Sequence, residues 1–348
     1  MLAVTSYRCC RLGRAAALSP RSKPYPRATI NSLKAISRAQ TVRLPLAGEA
    51  HQAPARALDE RRGTGLALLR ACRPRQWTKN LLVLAAPCAA GVIGRPTVMA
   101  EVAGAFVVMC LLSSSTYLVN DVRDSGQDRL HPRKRARPVA AGELSRRQAL
   151  RAAAVMALLG VAAGSAIDPK LGLLACGYLA LTACYSLWWR NVVGLDILAI
   201  AAGFVLRALA GGVATDVYLS RWFVLVTASC AIFLVAAKRY AELRERALRP
   251  PGRATLARYS ERGLRLTLVA SAAVAGIAYT SWAFTRSSHV LWYALSIVPL
   301  LAWLARYAIL VGRGTGEAPE ELILRDGPLL ALSASWMVLF LGGVYVGH

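Results

Sequence analysis

The sequence predicts an all-α protein that crosses a membrane nine times. Composition is the first of three observations behind this: of 348 residues, 56% are hydrophobic and only 18% charged, as expected for a chain embedded in lipid. Next, the apolar residues come in runs near the roughly 20 residues that a helix needs to span a bilayer. Finally, strongly basic loops alternate with loops poor in charge. The formal net charge of +25 is therefore assigned to loops facing anionic lipid, and a nucleic-acid partner is excluded. The eight cysteines fall mostly within apolar runs, form no CxxC pair and are read as small buried hydrophobes.

Residues 1–70 are read as a basic N-terminal extension without a spanning segment. Residues 1–80 hold 16 Lys/Arg against 3 Asp/Glu, with scattered prolines, and disorder is expected. A transit peptide, a polybasic arm on lipid and upstream sequence read from an early start codon all stay open. The remainder, 71–348, forms one transmembrane domain, and no catalytic residue is expected before Arg73.

Nine hydrophobic segments follow, at roughly 80–95, 98–119, 149–167, 171–189, 192–212, 221–237, 264–284, 290–311 and 328–347. The first is interrupted by Pro87. Gly160, Gly164, Gly203, Gly211 and Gly212 are expected close-packing points. The loop 120–148 carries eight Lys/Arg and the stretch 238–265 carries nine. With nine spans, the positive-inside bias puts the N-terminus and both basic loops in the cytoplasm and the C-terminus outside. The membrane is then the cell membrane, and the chain is multi-pass.

Chemistry is expected first at Asn120-Asp121-Val122-Arg123-Asp124-Ser125-Gly126-Gln127-Asp128. Carboxylates at the mouth of a membrane helix are costly unless a cation or partner occupies them. If the helix continues, Asn120, Asp124 and Asp128 share one face, with Asp121 on its flank. Such converging oxygens suit Mg²⁺ bound together with substrate phosphates. Lys134, Arg135 and Arg137 follow at once, so that metal and basic groups can divide a diphosphate between them.

Before the first segment, Arg73, Arg75 and Lys79 flank Trp77, either as a membrane anchor or as a clamp for a lipid phosphate. Tyr185 and Arg190 precede Asp196, a lone carboxylate in apolar sequence. Asp196 is expected to bind metal or substrate, the alternative being a structural pair with Arg190 or Arg207. Arg207 is an anion ligand or half of an ion pair. Lys238, Arg239 and Glu242 sit at the end of the sixth segment, with Lys238 and Glu242 spaced as an i,i+4 pair. Residues 243–262 are read as an exposed basic loop, and His131 and His289 as lacking partners for a metal site or triad.

The run Asn120-Asp121-x-x-Asp124-x-x-x-Asp128 in a nine-helix chain resembles the UbiA-type intramembrane transferases. Four runs resemble their decaprenyl-phosphate phosphoribosyltransferase branch in mycobacteria and relatives: Arg75–Asn80, Asn120–Gly142, Arg207–Thr215 and Lys238–Leu243. The likeness covers about residues 70–348. It implies a central cavity open to the cytoplasm and to lipid, with Mg²⁺ as cofactor. It implies transfer of 5-phosphoribose from 5-phosphoribosyl diphosphate to decaprenyl or another polyprenyl phosphate, on the route to cell-wall arabinan precursors. In this reading Asp121, Asp124, Asp128 and Asp196 are catalytic and, with Asn120, hold the metal. Arg73, Arg75, Lys79, Lys134, Arg135, Arg137, Tyr185, Arg190, Arg207, Lys238, Arg239 and Glu242 are the substrate contacts.

Two positions depart from the family pattern. Ile200 stands where a second acid is expected four residues after Asp196, which weakens a prenyl diphosphate donor. Arg190 stands where Lys is expected, and its planar fork is not equivalent to an ammonium. The alternatives are a UbiA-type prenyltransferase with a prenyl diphosphate donor, and a transporter of phosphorylated metabolites or lipids. No inverted repeat supports the transporter. Membrane lipids are expected partners, and homo-oligomer formation is left open.

Overall fold

The structure is a computed structural model that describes residues 63–246, 254–285, 290–314 and 319–346. Among the described residues, eight helices are long and apolar enough to cross a membrane, so the chain is an all-α multi-pass membrane protein. They are α1 (Pro96–Leu130), α2 (Arg146–Ile167), α3 (Pro169–Leu187), α4 (Leu195–Ala214), α5 (Arg221–Arg246), α6 (Glu261–Phe284), α7 (Val290–Gly312) and α8 (Gly327–Tyr345). His289 lies outside the described residues, as do residues 1–62 of the expected extension.

The first expected segment differs. Around Pro87 the chain forms an 11-residue 3-10 helix, Pro74–Leu84, and a five-residue α-helix, Ala85–Ala89. Arg73 enters the 3-10 helix in the left-handed region, at φ 56° and ψ 63°. The packed body also starts earlier than residue 71. Residues 63–72 are helical, and Ala67, Ala71 and Cys72 are buried against Leu118, Val122, Leu144 and Ala149.

Helix α1 has 35 residues, about 52 Å at 1.5 Å per residue. The hydrocarbon layer is only about 30 Å thick, so its last turns, with Asn120–Asp128, extend past the apolar layer without a break. Sequence at the termini explains several boundaries. Ser145 and Gln148 close a reciprocal capping box at α2, and Asp168 and Asp326 cap α3 and α8.

Small residues set the interhelical distances. A Cβ on Gly211 of α4 would lie 1.7 Å from the Val83 carbonyl oxygen. The 3-10 helix therefore lies with its backbone directly on α4. Gly160 receives Leu112 of α1 in the same way. A core of α1, α3, α4 and the 3-10 helix forms around Val83, Met109, Leu112 and Leu171. Another, drawn from α4–α8, forms around Phe233, Leu264, Leu304 and Tyr307.

Candidate active site

A helical stripe at i, i+3 and i+7 brings Asp121, Asp124 and Asp128 together at the end of α1. At 3.6 residues per turn, positions seven apart are nearly superposed, whereas positions eight apart diverge by about 80°. The acidic face is thus built on Asp121 rather than on Asn120, which is half-buried to one side. Asp121 and Asp128 are buried, and Asp124 is half-buried.

Each acid holds an arginine from a different segment. Arg73 donates to Asp121 Oδ1 and lies 5.0 Å over the Tyr117 ring. Arg137 Nη1 donates to Asp121 Oδ1 at 3.3 Å and to Asp128 Oδ2 at 2.7 Å. Arg190 Nη1 lies 3.1 and 3.2 Å from the two oxygens of Asp124. Asp121 Oδ2 is buried and has no hydrogen-bond partner, which leaves a hard oxygen open to a cation. Because the arginines separate the acids, no group of three Asp, Glu, His or Cys stands together as a ready metal cluster among the described residues.

Of the three basic residues expected beside the acids, only Arg137 reaches them. Lys134 and Arg135 are exposed on the turn Lys134–Ala136 and join no ion pair among the described residues. His131 Nδ1 accepts from the backbone of Arg133 at 3.2 Å, which shapes this turn.

Asp196 forms a second cluster, whose partner is neither Arg190 nor Arg207. Arg239 of α5 donates from Nε to Asp196 Oδ2 at 2.8 Å and from Nη1 to Glu242 Oε2 at 2.6 Å. Glu242 thus pairs at i,i+3 with Arg239 and not at i,i+4 with Lys238. Tyr185 of α3 lies within electrostatic range of Arg239. The other Asp196 oxygen accepts from the Tyr259 hydroxyl, which accepts in turn from Gly194 N at 2.8 Å. Burial and the bond to Asp196 push the Tyr259 phenol up, so it stays a donor. Tyr259 was missed because it lies in the stretch read as an exposed loop. As the one aromatic between 241 and 262, it offered a signal.

Arg207 is buried, and no acid among the described residues pairs with it. Its guanidinium donates to Asn80 Oδ1 at 2.8 Å, Gly203 O at 2.7 Å and the Tyr178 hydroxyl at 2.7 Å. All three acceptors are neutral, and its ion-pair partners among the described residues are none. Asn80 also donates to Ser113 Oγ at 3.2 Å, which ties the 3-10 helix to both α1 and α4.

A cavity of about 1120 Å³ adjoins this region. Lys79 and Thr78 of the 3-10 helix line it, along with Phe204, Trp282, Trp303 and Trp336. Arg75, by contrast, is exposed. The walls are mostly apolar and aromatic, and Lys79 contributes a cation, which matches an isoprenoid carrying an anionic head.

Comparisons with known proteins identify the family. Residues 81–326 match the UbiA prenyltransferase family. The chain is 38% identical over 294 residues to the decaprenyl-phosphate phosphoribosyltransferase of Mycolicibacterium smegmatis, covering 80% of this chain and 92% of that one. It is 40% identical over 292 residues to the enzyme of that name from Corynebacterium glutamicum, covering 80% and 87%. The structure of a UbiA homolog from Archaeoglobus fulgidus bound to DMAPP and Mg²⁺ superposes with a TM-score of 0.62 at 17% identity, over 80% of this chain and 99% of that one. The chain belongs to the UbiA prenyltransferase family and is closely related to the mycobacterial and corynebacterial decaprenyl-phosphate phosphoribosyltransferases.

Proposed function

We propose that the protein transfers 5-phosphoribose from 5-phosphoribosyl diphosphate to decaprenyl or another polyprenyl phosphate and releases pyrophosphate. The observation that carries this is the 38–40% identity, over nearly their whole length, to two decaprenyl-phosphate phosphoribosyltransferases. The acid and arginine cluster supports it, as does an aromatic-walled cavity that Lys79 lines. The product, polyprenyl-phosphoryl-5-phosphoribose, belongs to the supply of arabinose donors for a mycobacterial-type cell wall.

Asn120, Asp121, Asp124 and Asp128 would hold Mg²⁺. The all-oxygen donor set and the unpartnered Asp121 Oδ2 fit a hard cation. When bound, Mg²⁺ supplies neutralisation of the diphosphate charge. Arg73, Arg137 and Arg190 stand against the same carboxylates, ready to take substrate oxygens with planar forks. Lys134, Arg135 and Lys238 offer further positive charge to the 5-phosphate. Arg75 and Lys79 receive the lipid phosphate, with its isoprenoid entering from the bilayer. A phosphate oxygen attacks C1 of the ribose, and the C1–O bond to pyrophosphate breaks. The acceptor is already anionic, so no strong base is needed. The side chains align two anions and screen their repulsion.

Loop charge supports a cytoplasmic site, with the N-terminus inside and the C-terminus outside. That orientation needs nine crossings. The 3-10 helix and its successor supply the ninth in length: 11 residues at 2.0 Å and five at 1.5 Å rise about 30 Å. The transmembrane domain, whose packing begins with residues 63–72, follows a basic extension.

The test is transfer of radiolabelled ribose phosphate to polyprenyl phosphate by the purified protein in detergent, with and without Mg²⁺, alongside Asp124→Asn. A labelled lipid that needs both metal and Asp124 is expected. Its absence, with turnover of a prenyl diphosphate instead, would overturn the proposal.

A further inference from the structure

We infer that Glu242 is the acceptor for the ribose hydroxyls of the donor and thereby selects a phosphoribosyl diphosphate over a prenyl diphosphate, a role that rests on the proposed reaction. The sequence has Ile200 where a second acid was sought, but the fold provides one across two helices. Asp196 of α4 and Glu242 of α5 meet on the guanidinium of Arg239, at 2.8 and 2.6 Å.

The two acids differ in what remains open. Asp196 is buried, and its oxygens are taken by Arg239 and Tyr259. It is a positioning residue. Glu242 is half-buried and bonds Arg239 through Oε2 alone, which leaves Oε1 to accept. The chain of bonds from Gly194 through Tyr259, Asp196 and Arg239 holds Glu242 at a set height.

Charge decides the ligand class. Two carboxylates on one guanidinium leave a net charge of −1, which repels a phosphate and suits a neutral hydroxyl donor. Lys238, on the same helix, pairs with neither acid among the described residues. One short stretch of chain joins the two clusters: Arg190 holds Asp124, and Asp196, six residues on, bonds Arg239. A ribose hydroxyl has no counterpart in a prenyl diphosphate, and a site built to bond a hydroxyl rejects analogues lacking it far more strongly than an apolar pocket does.

The experiment compares transfer of ribose phosphate and of its 2-deoxy and 3-deoxy analogues by wild type, Glu242→Gln and Tyr259→Phe. Wild type is expected to prefer the full ribose by about 10–100-fold in kcat/KM, the scale of a hydrogen bond to a charged acceptor. Glu242→Gln should bring that ratio to within about threefold of one. Tyr259→Phe keeps every charge and should lower the ratio in part. Mn²⁺ binding, followed by its electron paramagnetic resonance spectrum, should be unchanged in both variants. A ratio in Glu242→Gln equal to wild type, or loss of a Mn²⁺ ion in that variant, would overturn the inference. If Glu242→Gln does not fold, Tyr259→Phe alone decides: an unchanged ratio overturns. Failure of wild type to transfer ribose phosphate at all would instead refute the proposed reaction.

Discussion

Replacing Gly211 by alanine should dislodge the 3-10 helix from α4 and disable the site while adding a single methyl group. The new Cβ would stand 1.7 Å from the Val83 carbonyl oxygen and 2.6 Å from its carbon. Both are backbone atoms, so no rotamer change relieves the clash. Ordinary contact begins near 3.4 Å, so the two backbones must part by 3.4 − 1.7 = 1.7 Å along that line. A movement of that size would stretch the 2.8 Å bond between Arg207 and Asn80 to as much as 4.5 Å, beyond any hydrogen bond. Overpacking costs about 1–3 kcal/mol, and a buried partner left without its bond costs about 1–3 kcal/mol more. For a chain of this size the sum lowers Tm by about 3–8 °C. Because Lys79 rides on the same helix, the transfer rate should fall about 100-fold, the usual consequence of a 1 Å misplacement. The assays are a thermal melt in detergent and the radiolabelled transfer rate. Gly177→Ala, where a Cβ meets nothing within 4 Å, is the control and should match or slightly exceed wild type in Tm. A Gly211→Ala protein that melts with wild type and keeps its rate would refute the reasoning.

Arg207→Met should lower Tm, because it leaves Asn80 Oδ1 and the Tyr178 hydroxyl without their donor, at about 1–3 kcal/mol for each orphaned group. Arg207→Lys should not rescue it in a melt, since one ammonium cannot reproduce the spread of the guanidinium fork. Ser145→Ala removes the capping box of α2 and should reduce stability by about 1 kcal/mol with the transfer rate unchanged, as measured by melt and activity together. Lys79→Ala and Trp336→Ala, at the walls of the cavity, should raise KM for the polyprenyl phosphate several-fold and leave KM for the phosphoribosyl donor unaltered. Asp121→Asn should weaken Mn²⁺ binding, because the amide replaces a charged oxygen with no other partner.

Most of the membrane plan and the first acidic site were legible in the sequence, because each depends on local periodicity. Apolar runs of spanning length became eight long helices, since the lipid requires every backbone group to be satisfied within its own segment. Helical spacing foresaw acids gathered on one side of a continuous α1, although it set Asn120 on that face and Asp121 on its flank, where the structure has Asp121 on the face. The local path of the first segment was not legible, because hydropathy does not distinguish a 3-10 path from an α-helix. Only Pro87 hinted at the break into Pro74–Leu84 and Ala85–Ala89.

Only the tertiary structure decided the partners. Arg73 meets Asp121 across 48 positions, Arg190 meets Asp124 across 66, and Tyr259 meets Asp196 across 63. Such pairings are set by how the helices pack, and a single chain carries no local signal for them. The same holds for Arg207, whose neutral partners come from the 3-10 helix, α3 and its own helix. By itself, then, the sequence determined which residues bear charge inside the membrane and on which helices they ride. Packing determined which of those charges neutralise one another and which oxygens remain open to bind, because both depend on contacts between helices distant in the chain.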